Sequence, residues 1–212
     1  MTRARRRLIV GITGATGIAY AVRVLELLRA AEIETHLIVS KAGHLTRSYE
    51  TELSRTDLEA LADVVYSPGN IGAAIASGSF RTEGMIVAPC SVRTLAEIAS
   101  GVTSSLLSRA ADVCLKQRRR LVLLVRETPL HAGHLKNMLA ATEMGAIIMP
   151  PVPAFYTRPT TIAEIVDFTA ARALDLFDIE VPGMPRWSGR PDDLAGDDAR
   201  TGGDDTRALG AD

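Results

Sequence analysis

Residues 8–17 read Leu-Ile-Val-Gly-Ile-Thr-Gly-Ala-Thr-Gly. The aliphatic run Leu8-Ile9-Val10 leads straight into glycines at 11, 14 and 17. A short apolar run that stops at glycine predicts a buried strand. From Ile18 to Ala30 the chain is rich in Ala, Leu and Val, with apolar residues at helical spacing. Strand, glycine turn and helix in that order open an α/β sheet. The glycines permit tight bends and close backbone approach. The amides that open the helix suit an anionic group.

The pattern repeats along the chain. Glu34–Val39 predicts a second strand, with Ser40 beginning the next segment. Ser54 and Asp57 form a capping box for a helix to Ala62. Val64-Val65-Tyr66 is a weak strand, followed by the turn Ser67-Pro68-Gly69-Asn70. Met85–Ala88 is a strand that stops at Pro89-Cys90-Ser91, with a helix to about Ala99. Ser104–Lys116 reads as helix and Leu121–Val125 as a wholly apolar strand, buried on both faces of a parallel sheet. A helix to Met144, a strand Ala146–Met149 and a helix opened by the Thr161/Glu164 capping box and running to about Phe177 complete the series. The fold expected is a single-domain Rossmann/flavodoxin-like open parallel sheet with helices on both faces, spanning residues 1–187. Residues 188–212 hold seven Asp, three Arg, five Gly and few apolar residues, and are expected to form a disordered acidic tail.

Composition narrows the function classes. The net charge is -1, with 25 acids against 24 bases, which favours neither a nucleic-acid partner nor a membrane surface. Aromatics at 4% leave little for base stacking. Cys90 and Cys114 make no disulfide framework and no Cys-x-x-Cys pair. The basic start is followed by an apolar run too short for a signal peptide, so the expected compartment is cytoplasmic.

In open α/β sheets, ligands bind beyond the carboxyl ends of the strands. The unusual residues of this chain fall there repeatedly: the Gly/Thr turn, Ser40, Pro89-Cys90-Ser91-Val92-Arg93-Thr94, Arg126-Glu127 and Phe155-Tyr156. Ser91 is either a plain helix cap or, with Thr94, Arg93 and the amides, a phosphate cradle. Cys90 reads as a packed small residue, because no histidine is placed to activate it. Arg126-Glu127 is either a structural ion pair or the catalytic pair. His131-x-x-His134 lacks a third ligand cluster, so no metal is expected. Lys116 is the one member of the basic run 116–120 placed to serve a site.

Thr13-Gly14-Ala15-Thr16-Gly17 also resembles the nucleotide turn of short-chain dehydrogenases. Against that stands the missing Tyr-x-x-x-Lys pair: no tyrosine here has lysine four residues later. The second strand ends in Ser40-Lys41 rather than in an acid for a ribose.

From Arg7 to Trp187 the chain resembles the UbiX-type, or Pad-type, flavin prenyltransferases. The residues that carry the likeness are GITGATG (11–17), Ser40-Lys41-Ala42, Glu50-Thr51, ASGSF (76–80), PCSVRT (89–94) and SRAADVCLKQRR (108–119). LVLLVRETPLH (121–131), NMLAATEMGAIIMPPVPAFY (137–156) and Pro185-Arg186-Trp187 continue it. The resemblance implies FMN at Gly14, Ala15, Thr16, Ser40, Ser91, Val92, Arg93, Thr94 and Arg126. It implies dimethylallyl phosphate around Lys116, Arg126, Glu127, Tyr156 and Arg172, with Arg109 and Trp187 lining the site. It further implies catalytic roles for Glu127, Glu50 and Thr16, a homododecamer with sites at subunit contacts, and a product used by a UbiD-type decarboxylase. Two positions depart from the family pattern: Thr16 replaces the usual serine, adding a methyl and restricting the rotamer, and Arg93 occupies a variable place. Two rivals share the fold. A flavin-dependent cysteine decarboxylase would carry Asn where Arg93 stands and a Met-rich substrate clamp not found here. A non-catalytic FMN-binding subunit would not need both Arg126 and Glu127.

Overall fold

Six parallel strands take the order β3-β2-β1-β4-β5-β6 in one sheet. They are β1 (Arg7–Ile12), β2 (Glu34–Val39), β3 (Val64–Tyr66), β4 (Gly84–Cys90), β5 (Arg120–Val125) and β6 (Ala146–Ile148). The computed structural model describes residues 5–187 and 189; the expected acidic tail lies outside the described residues apart from Gly189.

The helices are α1 (Ile18–Ala30), α2 (Lys41–Glu50), α3 (Arg55–Glu59), α4 (Val92–Ser100), α5 (Leu106–Lys116), α6 (Ala132–Glu143) and α7 (Ile162–Asp175). Short 3-10 turns form at Ala74–Ala76 and Phe155–Thr157. The alternation of strand side chains builds two cores. Leu8, Val10 and Ile12 join Ile86, Val122 and Leu124 on the face covered by α1 and α7. Ile9, Met85, Val87, Leu121 and Leu123 face the other way, under α4 and α5. Helix α1 buries Ile18, Ala21, Val24, Leu25 and Leu28, one stripe at helical spacing. Both edge strands, β3 and β6, are three residues long, which leaves little backbone open to foreign pairing.

Boundaries shift from those expected by one to three residues at several ends. Strand β4 runs through Pro89 to Cys90, with a register irregularity between Val87 and Cys90. Helix α3 stops at Glu59 rather than Ala62, and α7 at Asp175 rather than Phe177. Ser105, not Ser104, caps α5, sharing a capping box with Ser108. The segment after Ser40 proves to be the ten-residue helix α2.

Candidate active site

Strand order reverses between β1 and β4, and the crevice at their carboxyl ends is where such sheets bind ligands. Thr13 follows β1 and is 1% exposed. Its hydroxyl donates to the Pro89 carbonyl at 2.8 Å and accepts from the Ser91 amide at 2.8 Å. One side chain therefore ties the end of β1 to the end of β4.

Two helices begin at this seam. Ser40 caps α2, its hydroxyl accepting from the Gly43 amide at 3.0 Å. Ser91 caps α4 in the same way through the Thr94 amide at 3.3 Å. A cap satisfies only one of the amides that a helix start leaves without an internal partner. Among the described residues the amides of Lys41, Ala42, Val92 and Arg93 have no acceptor. Both starts border a cavity of about 320 Å³, whose wall includes Thr13, Gly14, Ser40, Ala42, Ser91 and Thr94. Two positive dipole ends on one cavity favour a phosphate, so the donor set fits a flavin mononucleotide. Pro68 and Ser105 also line it; sequence reading passed over them, the first as a turn residue and the second as helix interior.

The glycine turn departs from expectation. Two of the amides at its end, those of Gly17 and Ile18, are taken by Glu50, the last residue of α2, while those of Gly14, Ala15 and Thr16 have no acceptor among the described residues. The Glu50 carboxylate accepts from the Gly17 amide at 2.9 and 3.2 Å and from the Ile18 amide at 2.9 Å. Burial pushes the Glu50 carboxyl up. The Thr16 hydroxyl, the two amides and the Arg126 charge outweigh that and hold it below the usual glutamate range. Gly17 caps α1 at φ 109°, a conformation that favours glycine. At Gly14 a Cβ would lie 2.4 Å from the Ala42 Cβ, so a bare backbone lets the turn pack on the start of α2.

Arg126 leaves the end of β5, its amide bonded to the Cys90 carbonyl at 3.1 Å and its side chain exposed. Its charge acts on Glu50 and on Tyr20. Tyr20, which sequence reading left as an ordinary helix residue, stacks on the glycine turn; a Cβ at Gly17 would come within 2.9 Å of its ring. Burial raises the Tyr20 hydroxyl, against the pull of Arg126. Glu127 is half-buried and accepts from the Thr128 amide at 3.0 Å. Neither Arg126 nor Glu127 forms an ion pair among the described residues, so the structural-pair alternative has no geometry behind it. Arg93 pairs along α4 with Glu97 at 3.2 Å, its side chain 85% exposed, and both residues line the same cavity.

Cys90 is fully buried and its thiol is pushed up to about 12, which suits packing and not nucleophilic attack. His131 caps α6 through its ring, which stacks on His134 at 3.6 Å.

The remaining candidates form separate groups. Tyr156 makes edge contacts with Phe168 at 5.8 Å and Trp187 at 5.7 Å. Arg172 pairs with Asp175, which Arg186 also holds at 2.6 Å. Arg109 pairs with Asp112 on α5 at 2.7 Å. Lys116 ends α5 just before β5 begins, whereas Arg126 follows the end of β5. A six-residue strand spans roughly 20 Å. One chain thus does not bring Lys116 to Arg126 and Glu127.

The flavoprotein family pattern matches residues 1–174. The flavin prenyltransferase UbiX of Neisseria meningitidis serogroup B is 57% identical over 187 residues, covering 88% of this chain and 99% of that protein. The crystal structure of AnUbiX in complex with FMN and dimethylallyl pyrophosphate superposes with a TM-score of 0.86 at 50% identity, over 88% of this chain and 99% of that one. A dodecameric FMN-dependent UbiX-like decarboxylase from Escherichia coli O157:H7 gives 0.84 at 50% identity, over 86% and 100%.

Proposed function

The chain belongs to the flavoprotein family, among its UbiX-type flavin prenyltransferases, and from that membership we propose how its residues share the joining of a dimethylallyl group to FMN. Reduced FMN, when bound, supplies the N5 and C6 positions that receive the group. The amides of Val92 and Arg93, with the Ser40, Ser91 and Thr94 hydroxyls, hold the FMN phosphate. Gly14 and Ala15 let the turn approach the flavin. The observation that carries this reading is the convergence of the α2 and α4 starts on the cavity at the switch point.

The donor, dimethylallyl phosphate, needs positive charge for its dianion and a proton as it departs. Arg126 supplies charge, Arg172, which stands in a separate group within one chain, adds charge from a neighbouring copy, and Glu127 holds the proton at the departing phosphate oxygen. Thr16 and Glu50 keep Arg126 oriented: the ionised Glu50 carboxylate sits in that residue's field and is fixed by the α1 amides. Tyr156 and Trp187 form an apolar wall that excludes water from the allylic cation. Lys116 and Arg109 serve a site from a neighbouring copy, which accounts for the distance of Lys116 from Arg126 within one chain. That arrangement agrees with a homododecamer. The prenylated flavin leaves for a UbiD-type decarboxylase, whose chemistry requires it. No helix among the described residues is long and apolar enough to cross a membrane, and we place the reaction in the cytoplasm.

Supplying reduced FMN and dimethylallyl phosphate and weighing the released flavin tests this. The expected product is heavier than FMN by one dimethylallyl-derived unit. Unmodified FMN, together with carbon dioxide release from a cysteine peptide, would move the chain to the decarboxylase reading.

A further inference from the structure

A large concavity lies on the opposite edge of the sheet, where the strands begin. It is an open basin of about 880 Å³ bordered by Arg5, Arg6, Arg7, Arg81 and Arg119. Its position follows from the topology: Arg7 opens β1, Gly84 opens β4 and Arg120 opens β5.

Most of this charge is answered. Arg5 pairs with Asp63 at 2.8 Å, Arg7 with Glu34 at 3.0 Å and Arg6 with Glu83 at 3.3 Å. Asp178, on the rim, is held by Arg120 at 2.5 Å. Two guanidiniums are different. Arg119 donates to the Phe80 carbonyl at 2.7 Å and the Gly78 carbonyl at 2.6 Å. Those acceptors are neutral, so they fix the side chain without cancelling its charge. A guanidinium has about five N–H donors in a rigid fork, so Arg119 keeps some for a ligand. Arg81 is exposed and has no acidic partner among the described residues. Thr82, next to Arg81 in the chain, also lines the basin, and its hydroxyl is buried and makes no hydrogen bond among the described residues.

We infer that this basin is a second anion site, which takes the dianionic phosphate of a phosphate monoester between Arg81 and Arg119, with the Thr82 hydroxyl as a further donor. Two unanswered positive charges match two negative ones. A planar fork already held by backbone carbonyls loses little freedom on binding and matches phosphate oxygens two at a time. The basin has the volume of small-molecule sites, roughly 300–1,000 Å³, so the phosphate can carry a sizeable organic group. The site shares no residue with the candidate active site, so it stands whether or not the assignments there hold.

Equilibrium dialysis of the full-length protein, saturated with FMN, against labelled inorganic phosphate and against adenosine monophosphate tests it. Arg81 is the residue to change, since it is exposed and holds nothing in place. Arg81→Ser should weaken one class of phosphate sites about tenfold or more, the loss of a charge-assisted bond. Arg81→Lys should restore part of the affinity, and prenyl transfer should stay at the wild-type rate in both. Tighter binding of adenosine monophosphate than of phosphate would assign the site to organic phosphates, and equal binding to the phosphate group alone. Phosphate and nucleotide binding that are both unchanged in Arg81→Ser would overturn the inference.

Discussion

The two edges of the sheet attract anions by different means. At the carboxyl edge the positive potential is that of backbone amides at two helix starts with one guanidinium, Arg126, beside them, and the hydroxyls around the starts are bonded to backbone groups. At the amino edge it is that of guanidiniums, some neutralised and some tethered to carbonyls. Amide dipoles act within a turn and depend on geometry. Full charges reach further and are screened by salt over about 8–10 Å. The carboxyl edge should therefore respond to changes of shape and the amino edge to changes of charge.

The largest effect expected belongs to Glu127, the carboxyl-edge group proposed to move a proton. Glu127→Gln should keep FMN bound and slow single-turnover prenyl transfer by about a hundredfold to ten-thousandfold. Normal turnover would reduce Glu127 to a structural role.

Next is Thr13, where the shape argument is sharpest. Thr13→Val keeps the volume but strands the part-buried Ser91 amide. It should cost about 1–3 kcal/mol in denaturant unfolding, and Thr13→Ser should recover most of it. A valine variant as stable as the wild type would show that the seam between β1 and β4 does not depend on this hydroxyl.

Glu50→Gln should cost less, about 1 kcal/mol near neutral pH, as expected when a charged cap at a helix start is weakened. The folded Glu50 carboxyl lies below its unfolded value. Its contribution is therefore complete above the ordinary glutamate range, near about 4.3. It is lost as pH falls through the lowered folded value. Urea midpoints of wild type and variant should differ at neutral pH and converge in acid. A constant gap would mean that the carboxylate charge is not what matters.

The smallest effect is expected at Arg93. Its pair with Glu97 is solvent-exposed, so Arg93→Ala should change stability by no more than about 0.5 kcal/mol. If FMN affinity also stays unchanged, the backbone of the 91–94 turn binds and its variable side chain does not.

Much of the architecture was legible because it rests on local patterns. Leu8–Val10, Glu34–Val39 and Leu121–Val125 are strands in which burial and sequence agree. The caps at Ser54 and Thr161 read correctly from residue type and spacing. Helix α2 was not legible, since only Gly43 of its ten residues is buried and no apolar stripe marks it. It is held by the local Ser40 cap and by the grip of Glu50 on the first turn of α1, and the second of these is tertiary. For the same reason nothing in 11–17 announces that a carboxylate thirty-three residues later takes the Gly17 amide. The polar groups beyond the strands were placed by topology, but which of them meet depends on packing, as Tyr20 shows.

On the proposed assignment the α2 and α4 starts hold the phosphate of FMN, while Glu50 occupies the Gly17 and Ile18 amides. The ratio of riboflavin to FMN dissociation constants, measured in the wild type and in Glu50→Gln, addresses it most directly. Riboflavin lacks only the phosphate, so two charge-assisted bonds make the expected ratio roughly a hundredfold or more. The account predicts that this ratio persists in Glu50→Gln. A ratio near one in the wild type, or one that collapses in the variant, would contradict it.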